Sequence, residues 1–141
     1  MGDEPRNAAS EAARILSELI LDPERSDQLA AMVADEFIAK DHRKLVGAPE
    51  MDKAAWLTNS TWFVRTAGGL ATRQREVLAV RGDRLSLSRY LFEYHDGSLR
   101  ELLHIGDFGG DPLQLRRLVI FDTDDLDAAL AELDRLHAEN D

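Results

Sequence analysis

The sequence predicts an α+β fold: helices first, then a meander of antiparallel strands, then one closing helix. Three observations carry this. Apolar residues recur at helical spacing over roughly the first half of the chain. The period changes from 3.6 to 2 after Gly68-Gly69, and four strand-like runs follow. A helical stripe returns from about Asp124 to the end. The 141 residues suit one domain with one core. Residues 1–8 are polar and are expected to be loose, leaving 9–141 as the folded unit.

The first helix is expected over Ala9 to Leu21, where Ala12, Ile15, Leu16, Leu19 and Ile20 share a face. Asp22-Pro23 stops it, because proline cannot continue a helix and restricts the residue before it. Ser26 is a suitable N-cap for a second helix burying Leu29, Met32, Val33 and Phe37. A short extended piece, Phe37 to Arg43, follows it. Gly47-Ala48-Pro49 breaks the chain, and Asp52 to about Phe63 reads as a third helix with Trp56 and Leu57. The strand runs are Leu70 to Arg81, Arg84 to His95, Ser98 to Phe108 and Gln114 to Phe121. Gly82-Asp83, Asp96-Gly97 and Gly109-Gly110-Asp111-Pro112 lie between them and supply turn chemistry. Consecutive strands with short connections favour an antiparallel meander. In the last helix Leu126, Ala129, Leu130, Leu133 and Leu136 form one stripe, with Asp122 or Thr123 as its cap.

Composition excludes several classes. No cysteine is present, so disulfides and thiolate zinc sites are ruled out. The formal net charge of −10 opposes nucleic-acid binding, which needs a concentrated basic face. The apolar runs are too short to span a bilayer, and Met1 to Ser10 lack the apolar stretch of a secretory signal. A cytoplasmic location is the default expectation. Arg81-Gly82-Asp83 spells an adhesion tripeptide but sits in a hairpin turn. Asp122 to Asp127 is calcium-loop-like, yet Asp127 and Leu133 occupy the places that need glycine and glutamate. No histidine pair has metal-ligand spacing, so neither metal nor cofactor is expected.

Two titratable residues stand out. On an extended segment Phe37, Ala39, Asp41 and Arg43 share a face. An aspartate just past apolar positions can enter a cavity, lose solvation and become a general base. The alternative is a solvated strand end with an Asp–Arg pair. His104, between Leu103 and Ile105, shares a face with Leu102, and is either a core histidine or an acid–base group. The second long strand places Ser86, Ser88, Tyr90, Phe92 and Tyr94 on one face, and Leu85, Leu87 and Leu91 on the other. An aromatic and hydroxyl face suits a small organic ligand, or else an exposed or dimer-forming sheet face.

The element order resembles that of the nuclear transport factor 2-like superfamily, in particular its SnoaL-like and ketosteroid isomerase-like branches. The stretches Val33-Ala34-Asp35-Glu36-Phe37-Ile38-Ala39-Lys40-Asp41-His42-Arg43, Leu91-Phe92-Glu93-Tyr94 and Leu118 to Leu130 carry the resemblance. The last is also similar to the tails of actinobacterial multidomain regulators. The resemblance implies a cone-shaped, cystatin-like curved antiparallel sheet wrapped by the N-terminal helices around a pocket. It places a general-base aspartate at Asp41 and a hydrogen-bond donor at His104, where the family has an acid. Pocket residues fall at or near Phe92 and Phe121, with Tyr90 beside them as an auxiliary donor. Phe37, Trp56, Trp62, Ser88 and Leu102 complete the expected ligand-binding set. Ser17 stands where the steroid isomerases carry their oxyanion tyrosine.

The resulting expectation is a cofactor-independent isomerase, lyase or cyclase acting on a small, mostly apolar carbonyl compound. Asp41, His104 and Tyr90 would be its catalytic groups. The alternatives are a non-catalytic ligand-binding or regulatory module, and a dimerisation scaffold with a filled core. The expected partners are a small apolar organic ligand and a second copy of the chain through the sheet face.

Overall fold

The protein is described from a computed structural model covering residues 4–44, 50–66 and 70–139, without the side chains of Pro23 and 61–73. The breaks expected at Gly47-Ala48-Pro49 and Gly68-Gly69 lie outside the described residues.

Helix α1 (Ala8–Ile20) opens on a reciprocal cap. The Asn7 side chain accepts from the Ser10 backbone at 2.8 Å, and Ser10 Oγ accepts from the Asn7 backbone at 2.9 Å. Asn7 Nδ2 also donates to the Gly82 and Leu85 carbonyls, both at 2.9 Å, tying the helix start to a hairpin. Glu4 accepts from the Val77 backbone at 2.7 Å, so residues 4–8 are more engaged than the polar composition suggests. Ala9, Ala12, Leu16 and Leu19 are the buried stripe.

Helix α2 (Ser26–Ala31) is one turn and a half, shorter than expected. Strand β1 (Val33–Asp41) begins where the sequence reads as helix. Spacing at 29, 32, 33 and 37 fits a helix, but pairing with a central strand outweighs this local preference. The parity of the extended segment holds: Phe37, Ala39 and Asp41 are buried, while Lys40 is exposed. Strand β2 (Glu50–Asp52) and helix α3 (Lys53–Thr66) follow.

Strands β3 (Leu70–Arg81), β4 (Leu85–Tyr94), β5 (Leu99–Gly109) and β6 (Gln114–Phe121) form the antiparallel meander. Among the described residues the sheet is six-stranded in the order β2-β1-β6-β5-β4-β3. It is curved and mixed, because β1 runs parallel to β6. The Arg81-Gly82-Asp83 turn needs glycine, since Gly82 has φ +54°, and Arg81 there pairs with Asp134 at 2.7 Å.

The two sheet faces bury different cores. The inner face carries Phe37, Ala39, Tyr90, Leu102, Phe108, Leu115, Leu118 and Ile120 beneath α1, α2 and Trp56 of α3. The outer face carries Leu85, Leu87, Leu103, Ile105, Val119 and Phe121. It packs on Ala129, Leu133 and Leu136 of helix α4 (Leu126–Glu139). Each buried Leu, Ile, Val or Phe among these contributes about 1.5–3 kcal/mol of burial free energy. A 3-10 turn at Thr123–Asp125 precedes α4. The capping expected of Asp122 takes a different form: its carboxylate accepts from the Lys44 backbone at 3.1 Å rather than from the helix. Among the described residues no helix is long and apolar enough to cross a membrane.

Candidate functional site

The inner face encloses a cavity of about 130 Å³ between the sheet and helices α1 and α3. Alternation on β4 brings Ser86, Ser88, Tyr90, Phe92 and Tyr94 to its wall, and β5 adds Arg100, Leu102, His104, Gly106 and Phe108. Leu16 and Ser17 of α1 and Trp56 of α3 close it from the helical side. Most of the surface is apolar. The charged groups Asp41, Arg43 and Arg100 lie toward the end of the sheet where β1 finishes.

The sheet register sets the order of these groups. Asp41 pairs with Ile120, Ile120 with His104, and His104 with Ser88. One row across four strands therefore carries a carboxylate, an aliphatic spacer, an imidazole and a hydroxyl. Two strand spacings put the Asp41 and His104 Cα atoms about 10 Å apart. Both side chains line the cavity, and no hydrogen bond joins them among the described residues.

The carboxylate of Asp41 is nearly fully buried, with 1% of the side chain exposed. Oδ1 accepts from the Arg43 backbone at 3.0 Å and from Arg43 Nε at 3.0 Å. Oδ2 accepts from Arg43 Nε at 3.2 Å and Nη2 at 2.6 Å. Three N–H groups of Arg43 thus engage both carboxylate oxygens, with Nε–H shared between them. Of the two outcomes open in the sequence, the buried position and the Asp–Arg pair both occur.

His104 is held in the neutral form. Burial lowers its pKa to about 3, helped by the positive charges of Arg100 and Arg43 and opposed by Asp41. Its ring lies 4.9 Å from that of Tyr90 at 49°. Tyr90 stacks on Phe92 at 5.7 Å, and its hydroxyl accepts from Arg75 Nε at 3.1 Å. Ser88, beside His104, is 2% exposed, and its Oγ has no hydrogen-bond partner among the described residues.

Arg100 was not singled out by the sequence. It is brought to the site by the same parity as Leu102 and His104, and that alternation was the signal that could have found it. Desolvation is the largest cause lowering its pKa, with the Arg43 charge next. A hydrogen bond to Tyr94 and the Asp41 charge act the other way.

Of the expected ligand-binding residues, Trp56, Ser88, Phe92 and Leu102 line the cavity. Phe37 lies in the inner core, 5.2 Å from Trp56, and does not reach the cavity surface. The placement of Phe121 is corrected. It has the parity of Val119, so it faces α4 on the outer side and stacks on His42 at 4.9 Å. The side chain of Trp62 lies outside the described residues. Away from the cavity, Asp122, Asp124 and Asp125 bring three carboxylates together at the start of α4; this cluster is largely open to solvent.

With this geometry, the architecture can be compared with known structures. A protein from Kribbella flavida superposes with a TM-score of 0.62 at 19% identity, covering 91% of this chain and 98% of its own. A candidate isomerase from Bacillus subtilis gives 0.60 at 12% identity, covering 81% and 85%. An NTF2-like protein of unknown function from Exiguobacterium gives 0.53 at 16% identity, covering 81% and 96%. The chain has the nuclear transport factor 2-like fold. No family model and no curated protein matches the sequence itself. At these identities the likeness speaks for the nuclear transport factor 2-like architecture and leaves the chemistry to the site.

Proposed function

We propose that the protein binds one small, mostly apolar organic molecule in the inner cavity. The observation that carries this reading is the cavity itself, whose lining is mostly apolar and also holds the charged groups of Asp41, Arg43 and Arg100. Ser88 is on the same lining, and its buried hydroxyl has no hydrogen-bond partner among the described residues, but that oxygen is closed off from the cavity by its neighbours. A cavity of about 130 Å³ is close to the space of about 150 Å³ that accepts a benzene ring. It also argues against a scaffold with a filled core. The test is a ligand-observed NMR screen of single-ring compounds against the protein and its Leu102→Trp variant. Binders lost in the variant are expected. Binders that persist unchanged would place the site elsewhere.

General acid–base catalysis is the second reading, favoured by Asp41, His104 and Tyr90 lining one cavity and by the candidate isomerase among the structural neighbours. Isomerisation, elimination and cyclisation all begin here with proton abstraction beside a carbonyl. Asp41 would act as base only when Arg43 withdraws. His104, neutral at physiological pH, would donate an N–H to the developing oxyanion, with Tyr90 as auxiliary donor. Exchange of the α-protons of cyclohexanone in D2O measures this step directly. Acceleration that disappears in Asp41→Asn supports the reading, and exchange at the solvent rate removes it.

A further inference from the structure

The charged groups of the cavity differ in what they can still offer a ligand. Asp41 is the acidic residue of the lining among the described residues, and both its oxygens are engaged by Arg43. Arg43 and Arg100 supply donors only, whatever else they touch, because a guanidinium has five N–H groups and no acceptor. Among the described residues the lining carries two guanidinium charges against one carboxylate. Arg100 bonds Tyr94 and lies within electrostatic reach of Asp41 and Arg43, and both cations are on the cavity lining. A protein of net charge −10 has concentrated positive charge where its cavity is polar. In such surroundings a planar fork matches a carboxylate with two parallel bonds. His104 adds no charge at neutral pH.

We infer that the ligand is a small single-ring molecule carrying a carboxylate, with the ring in the aromatic part of the cavity and the carboxylate at Arg100 and Arg43. The inference rests on the pocket reading above and narrows it to one chemical class. The apolar contacts would come from Phe92, Leu102 and Trp56, which lie on the same lining. Arg100, whose guanidinium also bonds Tyr94, would be the specificity determinant through its further N–H groups.

The test uses three matched pairs of acid and neutral amide: benzoate and benzamide, phenylacetate and phenylacetamide, cyclohexanecarboxylate and its amide. Calorimetric titration of the intact protein at pH 7 should give at least one pair in which the acid binds ten-fold or more tightly than the amide. Arg100→Gln should bring that ratio close to one while the amide still binds. The wild-type ratio tests the inference even where the variant fails to fold. Amides binding as well as or better than every acid would overturn the inference and leave the pocket reading standing. Failure of all six probes to bind would overturn both.

Discussion

Replacing Asp41 by asparagine removes the charge that holds Arg43 while keeping the shape of the side chain. The carboxylate is 1% exposed and Arg43 is 16% exposed, so the pair is close to fully buried. Removing one partner of a buried pair costs about 3–5 kcal/mol, since the other charge is left uncompensated. Two features move the value within this range. Arg43 lies beyond the end of β1, where its side chain can turn toward water, which lowers the cost. Arg100 stands nearby with the same sign, which raises it. The expected loss is therefore about 3 kcal/mol. For a chain of this length that corresponds to a fall in Tm of roughly 6–12 °C. Urea unfolding followed by circular dichroism measures it, with an unchanged m-value as the check on two-state behaviour. The double variant Asp41→Asn, Arg43→Met should recover part of the loss, because no charge is then stranded. A single-variant loss below about 1 kcal/mol, the range of exposed pairs, would refute the reasoning.

Other consequences are equally open to measurement. The folded-state pKa of His104, about 3, lies below the ordinary 6.5, so the unfolded chain binds more protons between these values. Stability from this residue is complete above pH 6.5 and declines as pH falls toward 3, by at most about 1.4 kcal/mol per pH unit. His104→Gln should show a flatter urea midpoint between pH 6 and 4 than the parent, and parallel curves would contradict the assignment. Gly106→Ala places a methyl group 2.9 Å from the buried Phe108 ring, which must shift within the cavity wall. A loss of about 1–3 kcal/mol is expected together with weakened ligand binding. Leu133→Ala empties a fully buried position on the outer face and should cost about 2–5 kcal/mol while leaving ligand affinity unchanged.

The strands of the meander were legible because period 2 and turn chemistry agree along them. Leu70 to Arg81 and Gln114 to Phe121 have the expected ends. The start of β1 was not legible. Val33 to Phe37 carries a helical pattern, and only the parallel partner β6, far along the chain, makes it a strand. Parity also located most of the cavity wall, since the five alternating β4 residues all line it. It would have excluded Phe121, whose neighbour in register is Leu103 on the outer face. The position of Asp41 was readable, but its engagement by Arg43 was not. Spacing alone cannot tell whether an Asp–Arg pair two residues apart closes on itself or opens toward a ligand.

The central proposal is that the inner cavity, with Ser88 and His104 on its lining, holds the ligand. The direct measurement is a 1H–15N NMR titration of the labelled protein with benzoate and cyclohexanecarboxylate, following backbone amides and the His104 imidazole. The account predicts saturable shifts confined to Ser88, Tyr90, Phe92, Arg100, Leu102 and His104, with the imidazole in its neutral form throughout at pH 7. Shifts centred on α4 and the outer face, or a charged His104 at that pH, would contradict it.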